Sequence, residues 1–263
     1  MKYVWKYLKS VNDILLNGNN LALFLDFDGT LSPIVKMPEL AVLPKETKKV
    51  IRKLKKNKKT AVIIISGRSM KDIKNKVSIK DLIYSGSHGI EYEVNGKYVN
   101  AEVPPESLKA LWKIKYRLIR LSEKFEGSLV EDKGFTLAFH YRAVDPSRKQ
   151  KLKQKLNKAL EPYIKQGFLY LIVGKQVYDI RTNNDWTKGH ACLLLLNMLR
   201  SNTGKPINAV YIGDDVTDED AFFHMKDGIT IRVGQSKKSE AKYYLNDTQE
   251  VLNFLIWLGQ TLH

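Results

Sequence analysis

The chain has 263 residues, which is enough for one large domain or two small ones with a real hydrophobic core. Its 43% hydrophobic and 10% aromatic residues exclude a disordered chain, and its single cysteine, Cys192, excludes an intramolecular disulfide framework and a thiolate-rich zinc site. The formal net charge of +16 is spread over the first two thirds of the sequence, which excludes a basic tail as its source.

The N-terminal segment does not have the pattern of a targeting sequence. Its residues, MKYVWKYLKS, interleave lysines with apolar side chains and lack the apolar centre of a signal peptide. No apolar run in the chain approaches the ~18 residues of a membrane-spanning helix. We therefore expect a soluble cytoplasmic protein without a membrane partner. We also expect a monomer that has no nucleic acid as partner.

Strands and helices are predicted to alternate along most of the chain. Continuous apolar or β-branched runs predict buried strands, and apolar residues at helical spacing predict helices. In chain order these segments are a strand at 21–25, a helix at 44–57, a strand at 60–65, a helix from 69, a strand at 82–86, a hairpin at 90–101 with its turn at Asn95-Gly96, a helix at 188–200, strands at 208–215 and 229–233, and a helix from 248. This alternation is typical of a parallel sheet covered by helices.

The segment from 104 to 180 interrupts that alternation. It begins at Pro104-Pro105, and its pattern predicts a helix, two strands, a second helix and two more strands. Such an order is typical of a compact α+β unit. The sequence therefore predicts an α/β fold, in which a Rossmann-like parallel-sheet core of residues 1–103 and 181–263 carries an inserted α+β cap of residues 104–180.

Two lysine-rich runs carry much of the positive charge. Residues 48–59 and 147–158 both place apolar side chains at helical spacing among the lysines. They predict amphipathic helices with solvated lysine faces, although the same runs fit a surface for nucleic acid or for an anionic membrane. In a third interpretation, the positive field attracts small anionic substrates.

The sequence LFLDFDGTL, residues 23–31, is the strongest chemical signal. Asp26 ends a buried strand, and Asp28, Gly29 and Thr30 follow closely. In open α/β sheets, ligands bind beyond the carboxyl ends of the strands. Two carboxylates at that edge are costly unless they hold a cation or share a proton. Gly29 lets backbone approach an anion and Thr30 offers a hydroxyl, although the same residues also favour a simple Asx turn.

The predicted strand at 60–65 also ends in polar residues. Ser66, Gly67 and Arg68 follow it and offer a hydroxyl, an accessible N–H and a guanidinium group. The helix that comes next points its N-terminus at the same edge of the sheet, which favours an anion there. Ser66 alone also fits a simple N-cap, and Arg68 fits either a place near the phosphate or a pair with an acid of the rim.

Acidic residues follow the later strand at 208–212. Asp214 and Asp215 come directly after Gly213, and Asp218 follows three residues further on. A carboxylate cluster on the same edge as the first strand needs a cation, and oxygen ligands without a nearby His or Cys indicate Mg²⁺ rather than zinc. The acids from Asp218 onward also fit an ordinary helix start, where the helix dipole favours negative charge.

These signals occur in a fixed order, with Lys188 at a predicted helix start between the serine and the last acidic group. Asp-x-Asp-Gly-Thr, then Ser, then Lys, then Gly-Asp-Asp resembles the haloacid dehalogenase superfamily of phosphohydrolases, and the resemblance covers both core segments. It implies the superfamily's α/β core with an inserted cap of the C2 type. It also implies Mg²⁺ as the cofactor.

The resemblance implies a role for each matching residue. Asp26 is expected to be the nucleophile that forms an aspartyl-phosphate, and Asp28 the general acid for the leaving alcohol and then the base for water. The residues expected to bind phosphate are Gly29, Thr30, Ser66, Gly67, Arg68 and Lys188. Those expected around Mg²⁺ are Asp26, Asp28 through its backbone carbonyl, Asp214 and Asp215, with Asp218 in support.

Four further segments narrow the resemblance to the trehalose-6-phosphate phosphatase family. They are GSHGIEY (86–92), VEDKGFTLAFHYR (130–142), YDIRTNNDWTKGHA (178–191) and GDDVTDEDAFF (213–223). The resemblance implies hydrolysis of trehalose 6-phosphate to trehalose and phosphate, with a small-molecule sugar phosphate as the partner. The side chains expected to bind the sugar are His88, Glu131, Lys133, His140, Arg142, Asp179 and Arg181. Charged groups in a polar pocket suit sugar hydroxyls, although they also fit cross-strand charge pairs, and the arginines also fit a cap-to-core contact.

One departure from the family pattern leaves the substrate open. The family usually has Glu-Ile/Val-Arg-Pro where this chain has Asp179-Ile180-Arg181-Thr182. Asp is one methylene shorter than Glu, so a hydroxyl contact there is lost or formed differently. One alternative is therefore a phosphatase for another glycosyl phosphate, such as sucrose phosphate or mannosylglycerate phosphate. A third hypothesis, which needs only the lysine runs, is a non-catalytic protein that binds nucleic acid or anionic lipid.

Overall fold

The computed structural model describes residues 1–15, 20–94, 96–174, 176–183 and 186–262. Asn95 of the predicted hairpin turn, and Asn184 and Asp185 of the segment 178–191, lie outside the described residues. In chain order the strands are β1 (Lys2–Tyr3), β2 (Asn20–Leu25), β3 (Thr60–Ile65), β4 (Ile83–Gly86), β5 (Glu91–Val94), β6 (Lys97–Asn100), β7 (Leu129–Asp132), β8 (Thr136–His140), β9 (Leu169–Gly174), β10 (Val177–Thr182), β11 (Ile207–Gly213), β12 (Ile229–Val233) and β13 (Tyr243–Leu245). The α-helices are α1 (Leu8–Leu15), α2 (Lys45–Lys56), α3 (Met70–Val77), α4 (Pro105–Ser122), α5 (Pro146–Lys165), α6 (Lys188–Thr203), α7 (Glu219–His224) and α8 (Thr248–Thr261).

The chain divides into two compact units. The core unit comprises Met1–Asn100 and Trp186–His263, and the insert unit comprises Ala101–Asp185. The insert unit is longer than the predicted cap of residues 104–180, because β10 continues through Thr182 before the chain returns to the core.

The core unit is built on one twisted sheet. Its strands lie in the order β1-β13-β12-β11-β2-β3-β4-β5-β6. Neighbours from β1 to β4 pair in parallel, and β5 and β6 extend the sheet as antiparallel strands. The parallel arrangement agrees with the predicted α/β core. The pattern analysis missed β1, α1 and β13, which are too short or too mixed in composition to stand out.

Helices cover both faces of this sheet, and β2 shows why its sequence is continuously apolar. Leu21, Leu23 and Leu25 belong to the cluster formed with α2 and α8. Ala22 and Phe24 point the other way and belong to the cluster formed with α6 and α7. Because both faces are buried, the strand has no solvent side on which a polar residue could alternate. Polar residues therefore begin only where the strand ends, at Asp26.

The insert unit has a four-stranded antiparallel sheet in the order β7-β8-β10-β9. Alternate residues of β8, such as Leu137 and Phe139, pack in a cluster with side chains of α4 and α5, including Leu156. The remaining side chains of each strand point to the opposite face of the sheet.

Both lysine-rich runs form amphipathic helices. In α2 the buried side chains include Ile51 and Leu54, and in α5 they include Leu152 and Leu160. Most of the lysines between them lie at the surface. Among the described helices, none combines the length and the apolar composition needed to cross a membrane.

Candidate active site

Three adjacent parallel strands bring the predicted core residues to one edge of the sheet. β2 pairs with β11 on one side and with β3 on the other. Asp26 continues the ladder beyond β2, since its backbone N–H donates to the carbonyl of Ile212 at 3.0 Å. Ser66 similarly follows β3, and its N–H donates to the carbonyl of Ser85 at 2.9 Å. The edge therefore places the chain ends of β2, β3 and β11 side by side.

Lys188 is the centre of charge at this edge. Its ammonium group donates to Asp26 Oδ1 at 2.7 Å and to Asp218 Oδ1 at 2.7 Å. All three side chains are buried, with 3% of the Lys188 side chain, 5% of Asp26 and none of Asp218 exposed. Lys188 is the first residue of α6, which Thr187 caps by accepting the N–H of His190. The helix start thus fixes the ammonium group against Asp26.

The buried charges shift one another's pKa values. Burial raises the pKa of Asp26 well above its ordinary value, Lys188 opposes that shift, and Asp218 adds to it. Burial alone would lower the pKa of Lys188, but the carboxylates of Asp218 and Asp26 outweigh it, so that pKa lies above its ordinary value. The lysine is therefore cationic throughout the physiological pH range.

Three carboxylates lie at this edge beside a single ammonium group, which leaves an excess of negative charge. A divalent cation would balance that excess. Asp26, Asp214 and Asp218 each place an oxygen atom within 4.8 Å of the others, the one such acidic group in the described part of the chain. Asp214 Oδ1 is buried and accepts no hydrogen bond from the described residues. Burial, and then the Asp218 carboxylate, raise the pKa of Asp214 to about 7. An oxygen-only set of this kind suits Mg²⁺.

The structure differs from the prediction at Asp215. This side chain is exposed and accepts the N–H of Asp218, while the Asp218 carboxylate accepts the N–H of Asp215 at 3.0 Å. This reciprocal capping box opens the 3₁₀ turn at Val216–Asp218 and turns Asp215 away from the cluster. Asp218, which was expected only in support, is the residue that the fold brings beside Asp26 and Asp214.

Arg68 does not lie free beside the predicted phosphate-binding residues, but pairs with an acid of the same edge. Its Nε donates to Asp28 Oδ2 at 2.7 Å and its Nη2 to Asp28 Oδ1 at 2.6 Å, a bidentate contact. Nη1 donates to Asp72 Oδ2 at 2.7 Å, and Nη2 also reaches the carbonyl of Pro38. Arg68 is therefore buried between two carboxylates and orients the side chain of Asp28.

The other predicted phosphate-binding residues line the same edge. The Thr30 hydroxyl is buried and has no hydrogen-bond partner among the residues described. Ser66 Oγ accepts the N–H of Arg68 at 3.2 Å. Gly67 lies so close to the imidazole of His88 that a Cβ atom would come within 2.4 Å of it. His88 is thus part of the core rim rather than of the insert unit.

A buried network holds the loop that carries His88. Ser87 and His88 both have positive φ, and their N–H groups donate to the carbonyls of Arg68 and Ser66. Glu91 accepts the hydroxyl of Ser87 and, at 3.1 Å, the first N–H of α3. The network ties this strained loop to the segment that follows β3.

In the insert unit, the sheet face opposite the helices gathers most of the predicted sugar-binding residues. Glu131, Ala138 and Asp179 lie side by side across β7, β8 and β10. His140 Nε2 lies 2.9 Å from Glu131 Oε2, and Lys133 Nζ lies 3.8 Å from the same oxygen.

Arg181 and Arg142 end in different surroundings. Arg181 lies two residues from Asp179 on the same strand face, and its Nη2 lies 2.5 Å from Asp179 Oδ2. Arg142 follows the end of β8 and is exposed in the turn there, so the structure does not bring it to the polar face.

Sequence reasoning missed three residues with clear roles in this architecture. Asp72 anchors Arg68, and its position one helical turn after Arg68 was a signal for the pair. Asp220 accepts the hydroxyl of Thr187 and, at 2.9 Å, the N–H of Gly189 at the start of α6. Tyr211 donates to Asp218 at 2.6 Å from inside β11. For Asp220 and Tyr211 only the fold provides the contact.

Comparison with known proteins places this geometry in a family. The trehalose-phosphatase family model matches residues 24–249. A relative from Oryza sativa subsp. japonica, "Probable trehalose-phosphate phosphatase 4", is 34% identical over 248 residues, which cover 92% of this chain and 66% of the relative. The chain therefore spans about two thirds of that relative's length.

Solved structures show the same fold. The Candida albicans trehalose-6-phosphate phosphatase C-terminal domain matches with a TM-score of 0.76 at 24% identity, over 96% of each chain. A haloacid dehalogenase-like hydrolase from B. subtilis matches with a TM-score of 0.59 at 14% identity, over 90% of this chain and 99% of the other. These matches confirm the predicted haloacid dehalogenase fold with a cap. With the family model matched from strand β2 to helix α8, the chain belongs to the trehalose-phosphatase family of phosphoric monoester hydrolases.

Proposed function

We propose that this chain hydrolyses trehalose 6-phosphate to trehalose and inorganic phosphate through an aspartyl-phosphate on Asp26, with Mg²⁺ as cofactor. The observation that carries the proposal is the buried Asp26 carboxylate, held by Lys188 beside Asp214 and Asp218. Burying a charged carboxylate costs free energy of desolvation, which is typical of residues with a chemical function. Nucleophilic attack on a phosphate is one such function.

In the first step, an oxygen of Asp26 bonds to phosphorus and the bond from phosphorus to the sugar oxygen breaks. Lys188 holds the nucleophile in place and offsets the negative charge of the incoming phosphate. Asp28 in its protonated form gives its proton to the leaving sugar oxygen. The bidentate contact with Arg68 holds the ionised side chain of Asp28 in place, and when Asp28 is protonated one of the two contacts opens so that its O–H faces the sugar oxygen.

In the second step, water attacks the phosphorus of the aspartyl-phosphate. Asp28, now ionised, takes the proton of the attacking water, and the Asp26 carboxylate leaves as inorganic phosphate forms. The buried Thr30 hydroxyl and the Ser66 hydroxyl are the groups we assign to the phosphate oxygens, together with the N–H of Gly67.

Mg²⁺ would be held by Asp26, Asp214 and the backbone carbonyl of Asp28, where it would neutralise charge on the transferred phosphate. Lys188 alone cannot balance the three carboxylates and a phosphate dianion. Both oxygens of Asp218 are already engaged, Oδ1 by Lys188 and the Tyr211 hydroxyl and Oδ2 by two backbone N–H groups, so we assign Asp218 to support rather than to direct coordination.

We assign recognition of the sugar hydroxyls to the polar face of the insert unit. Glu131 and His140 form one hydrogen-bonded pair on that face, and Asp179 and Arg181 form another. Together they offer acceptors and donors, which sugar hydroxyls need in equal measure.

A second candidate is a phosphatase for another glycosyl phosphate. The side chain that stands where the family has glutamate, Asp179, is drawn into a contact with Arg181 through both Nε and Nη2. A carboxylate engaged in this way is less available to a hydroxyl at the distance that glutamate would reach. This observation favours a glycosyl phosphate whose hydroxyls are placed differently from those of trehalose 6-phosphate.

A substrate panel tests both candidates. We expect phosphate release from trehalose 6-phosphate to depend on Mg²⁺, to stop with a chelator, and to exceed release from glucose 6-phosphate and sucrose 6-phosphate. Faster release from sucrose 6-phosphate would select the second candidate. An absence of release from every sugar phosphate would contradict the proposal as a whole.

The nucleophile is tested by Asp26→Asn. We expect turnover to fall at least a thousandfold while the circular dichroism spectrum is retained, because the amide cannot form the aspartyl-phosphate. The matched control is Asp81→Asn, an exposed acid paired with Lys55, which should keep normal activity. Retained activity in Asp26→Asn would exclude this residue as the nucleophile.

A further inference from the structure

Asp218 is the most heavily hydrogen-bonded carboxylate of the rim. Oδ1 accepts from Lys188 Nζ at 2.7 Å and from the Tyr211 hydroxyl at 2.6 Å. Oδ2 accepts the backbone N–H groups of Asp214 and Asp215, each at 3.0 Å. A carboxylate has about four acceptor sites, so these four donors saturate it. Asp218 therefore organises the loop that carries Asp214.

Tyr211 is the donor in this set that the reaction does not otherwise use. Its side chain lies inside β11 and is fully buried, and its ring packs edge-on against Phe222 at 5.5 Å between centroids. Burial raises the pKa of its hydroxyl well above the ordinary value, and the Asp218 charge adds to that shift. At 2.6 Å from Asp218 Oδ1, the hydroxyl is the donor in this buried hydrogen bond.

We propose that Tyr211 is a positioning residue for the cation site, which acts through Asp218. Its hydroxyl shares Oδ1 with Lys188, so that Asp218 is not drawn toward Lys188 alone and its other oxygen stays on the two loop amides. Those amides set the backbone of Asp214, whose Oδ1 is buried and accepts no bond from any described residue. Partners of this outer kind commonly tune the affinity of a metal site.

The identity of the cation, Mg²⁺, rests on the proposed function. The test of the inference does not, because it measures binding rather than turnover. Gly213 shows how closely the loop is packed, because a Cβ atom there would come within 2.4 Å of the Asp218 carboxylate. A small rotation of Asp218 therefore moves the loop. Binding of Mg²⁺ to the substrate-free protein reports this directly, without any turnover.

The experiment is isothermal calorimetry of Mg²⁺ binding to the wild type and to Tyr211→Phe. Phe keeps the ring against Phe222 and removes only the hydroxyl. We expect the Kd for Mg²⁺ to rise about tenfold, within the range seen when outer-shell partners are removed. We also expect kcat at saturating Mg²⁺ to change much less than the Mg²⁺ concentration needed for half-maximal activity.

Tyr84→Phe is the matched control. Tyr84 is also buried in the core unit, and its hydroxyl donates to the carbonyl of Ile79 at 2.7 Å, away from the carboxylates. It should leave the Kd for Mg²⁺ unchanged. An equal rise in both variants would show that any buried hydroxyl matters, and would overturn the proposal.

A double-mutant cycle with Asp218→Asn tests the route of the effect. If Tyr211 acts through Asp218, adding Tyr211→Phe to the Asp218→Asn variant changes the Kd for Mg²⁺ little further. The same tenfold rise in both backgrounds, or no rise in the single variant, would overturn the inference. A wild type that binds Mg²⁺ but releases no phosphate from sugar phosphates would overturn the proposed function and leave this inference standing.

Discussion

Glycine at position 29 is required by two features of its surroundings. Its φ is +78°, a region that side-chain-bearing residues rarely adopt, and a Cβ atom there would lie 2.0 Å from Asp214 Oδ2. The residue after Asp28 thus leaves room for a carboxylate that follows a strand far away in sequence. This clearance is a condition for bringing Asp214 beside Asp26.

We expect Gly29→Ala to displace Asp214. The left-handed backbone costs on the order of 1 kcal/mol for a residue with a Cβ atom, and the collision must be relieved by moving the carboxylate. The Mg²⁺ concentration for half-maximal phosphate release should rise several-fold. Gly96→Ala, another positive-φ glycine with open space around it, is the control for backbone strain alone. An equal change in both variants would contradict the steric argument.

A second prediction for single residues concerns the contact between Arg68 and Asp28. We expect Arg68→Lys to lower kcat by about tenfold with a smaller change in KM, because lysine keeps the charge but cannot make the bidentate contact that orients Asp28. Steady-state kinetics with an aryl phosphate and a sugar phosphate would measure it. A change confined to KM would instead assign Arg68 to phosphate binding, as one of the sequence-based alternatives had it.

At the scale of elements, the start of α6 depends on a residue of α7. Asp220 accepts the hydroxyl of Thr187 and the N–H of Gly189, which flank Lys188 on either side. Gly189 and Asp220 are 31 residues apart in sequence, and their contact joins the two helices. The position of the Lys188 ammonium group therefore follows from helix capping by a distant side chain.

We expect Asp220→Ala to loosen this helix start. Loss of a capping carboxylate costs about 1 to 2 kcal/mol, which lowers the thermal unfolding midpoint by several degrees. The KM for a phosphate ester should rise as well, because Lys188 is less firmly placed. Asp145→Ala, which removes the N-cap of α5 in the insert unit, is a control that should lower stability without this rise. If Asp220→Ala lowers stability but leaves KM unchanged, capping does not position the lysine.

The net charge of +16 is a property of the whole molecule that acts over long distances. The lysines of α2 and α5 lie mostly at the surface, and no predicted site residue belongs to either helix. A positive field of this size attracts small anions such as phosphate esters before any contact forms.

We expect kcat/KM for a sugar phosphate to fall a few-fold as salt rises from about 20 to 300 mM, since the screening length shortens from roughly 20 Å to less than 8 Å. The kcat at saturating substrate should change little. The hypothesis of a binding protein predicts instead a steep loss of DNA affinity with salt that is the same in wild type and Asp26→Asn. A kcat/KM that is independent of salt would show that the field does not steer the substrate.

The apolar pattern of the sequence is enough to predict where the core strands end and which polar residues follow them. Buried strands must be apolar on both faces, so the first polar residues, Asp26 and Ser66, mark the strand ends. Parallel pairing then requires those ends to meet. The insert was predicted for a different reason, because between residues 104 and 180 the order helix, two strands, helix, two strands interrupts the regular alternation of strand and helix.

The hydrogen-bond partners of the side chains at this edge, in contrast, follow from long-range contacts in the fold. Asp215 and Asp218 are the same residue type in the same acidic segment, and the sequence does not distinguish them. In the structure, the capping box leaves Asp215 exposed and places Asp218 against Lys188. Arg68 fitted phosphate or an acid until the fold placed Asp28 and Asp72 on either side of it. Local patterns fix where a backbone turns, whereas the partners of a charged side chain depend on contacts across tens to hundreds of residues, which no local pattern encodes.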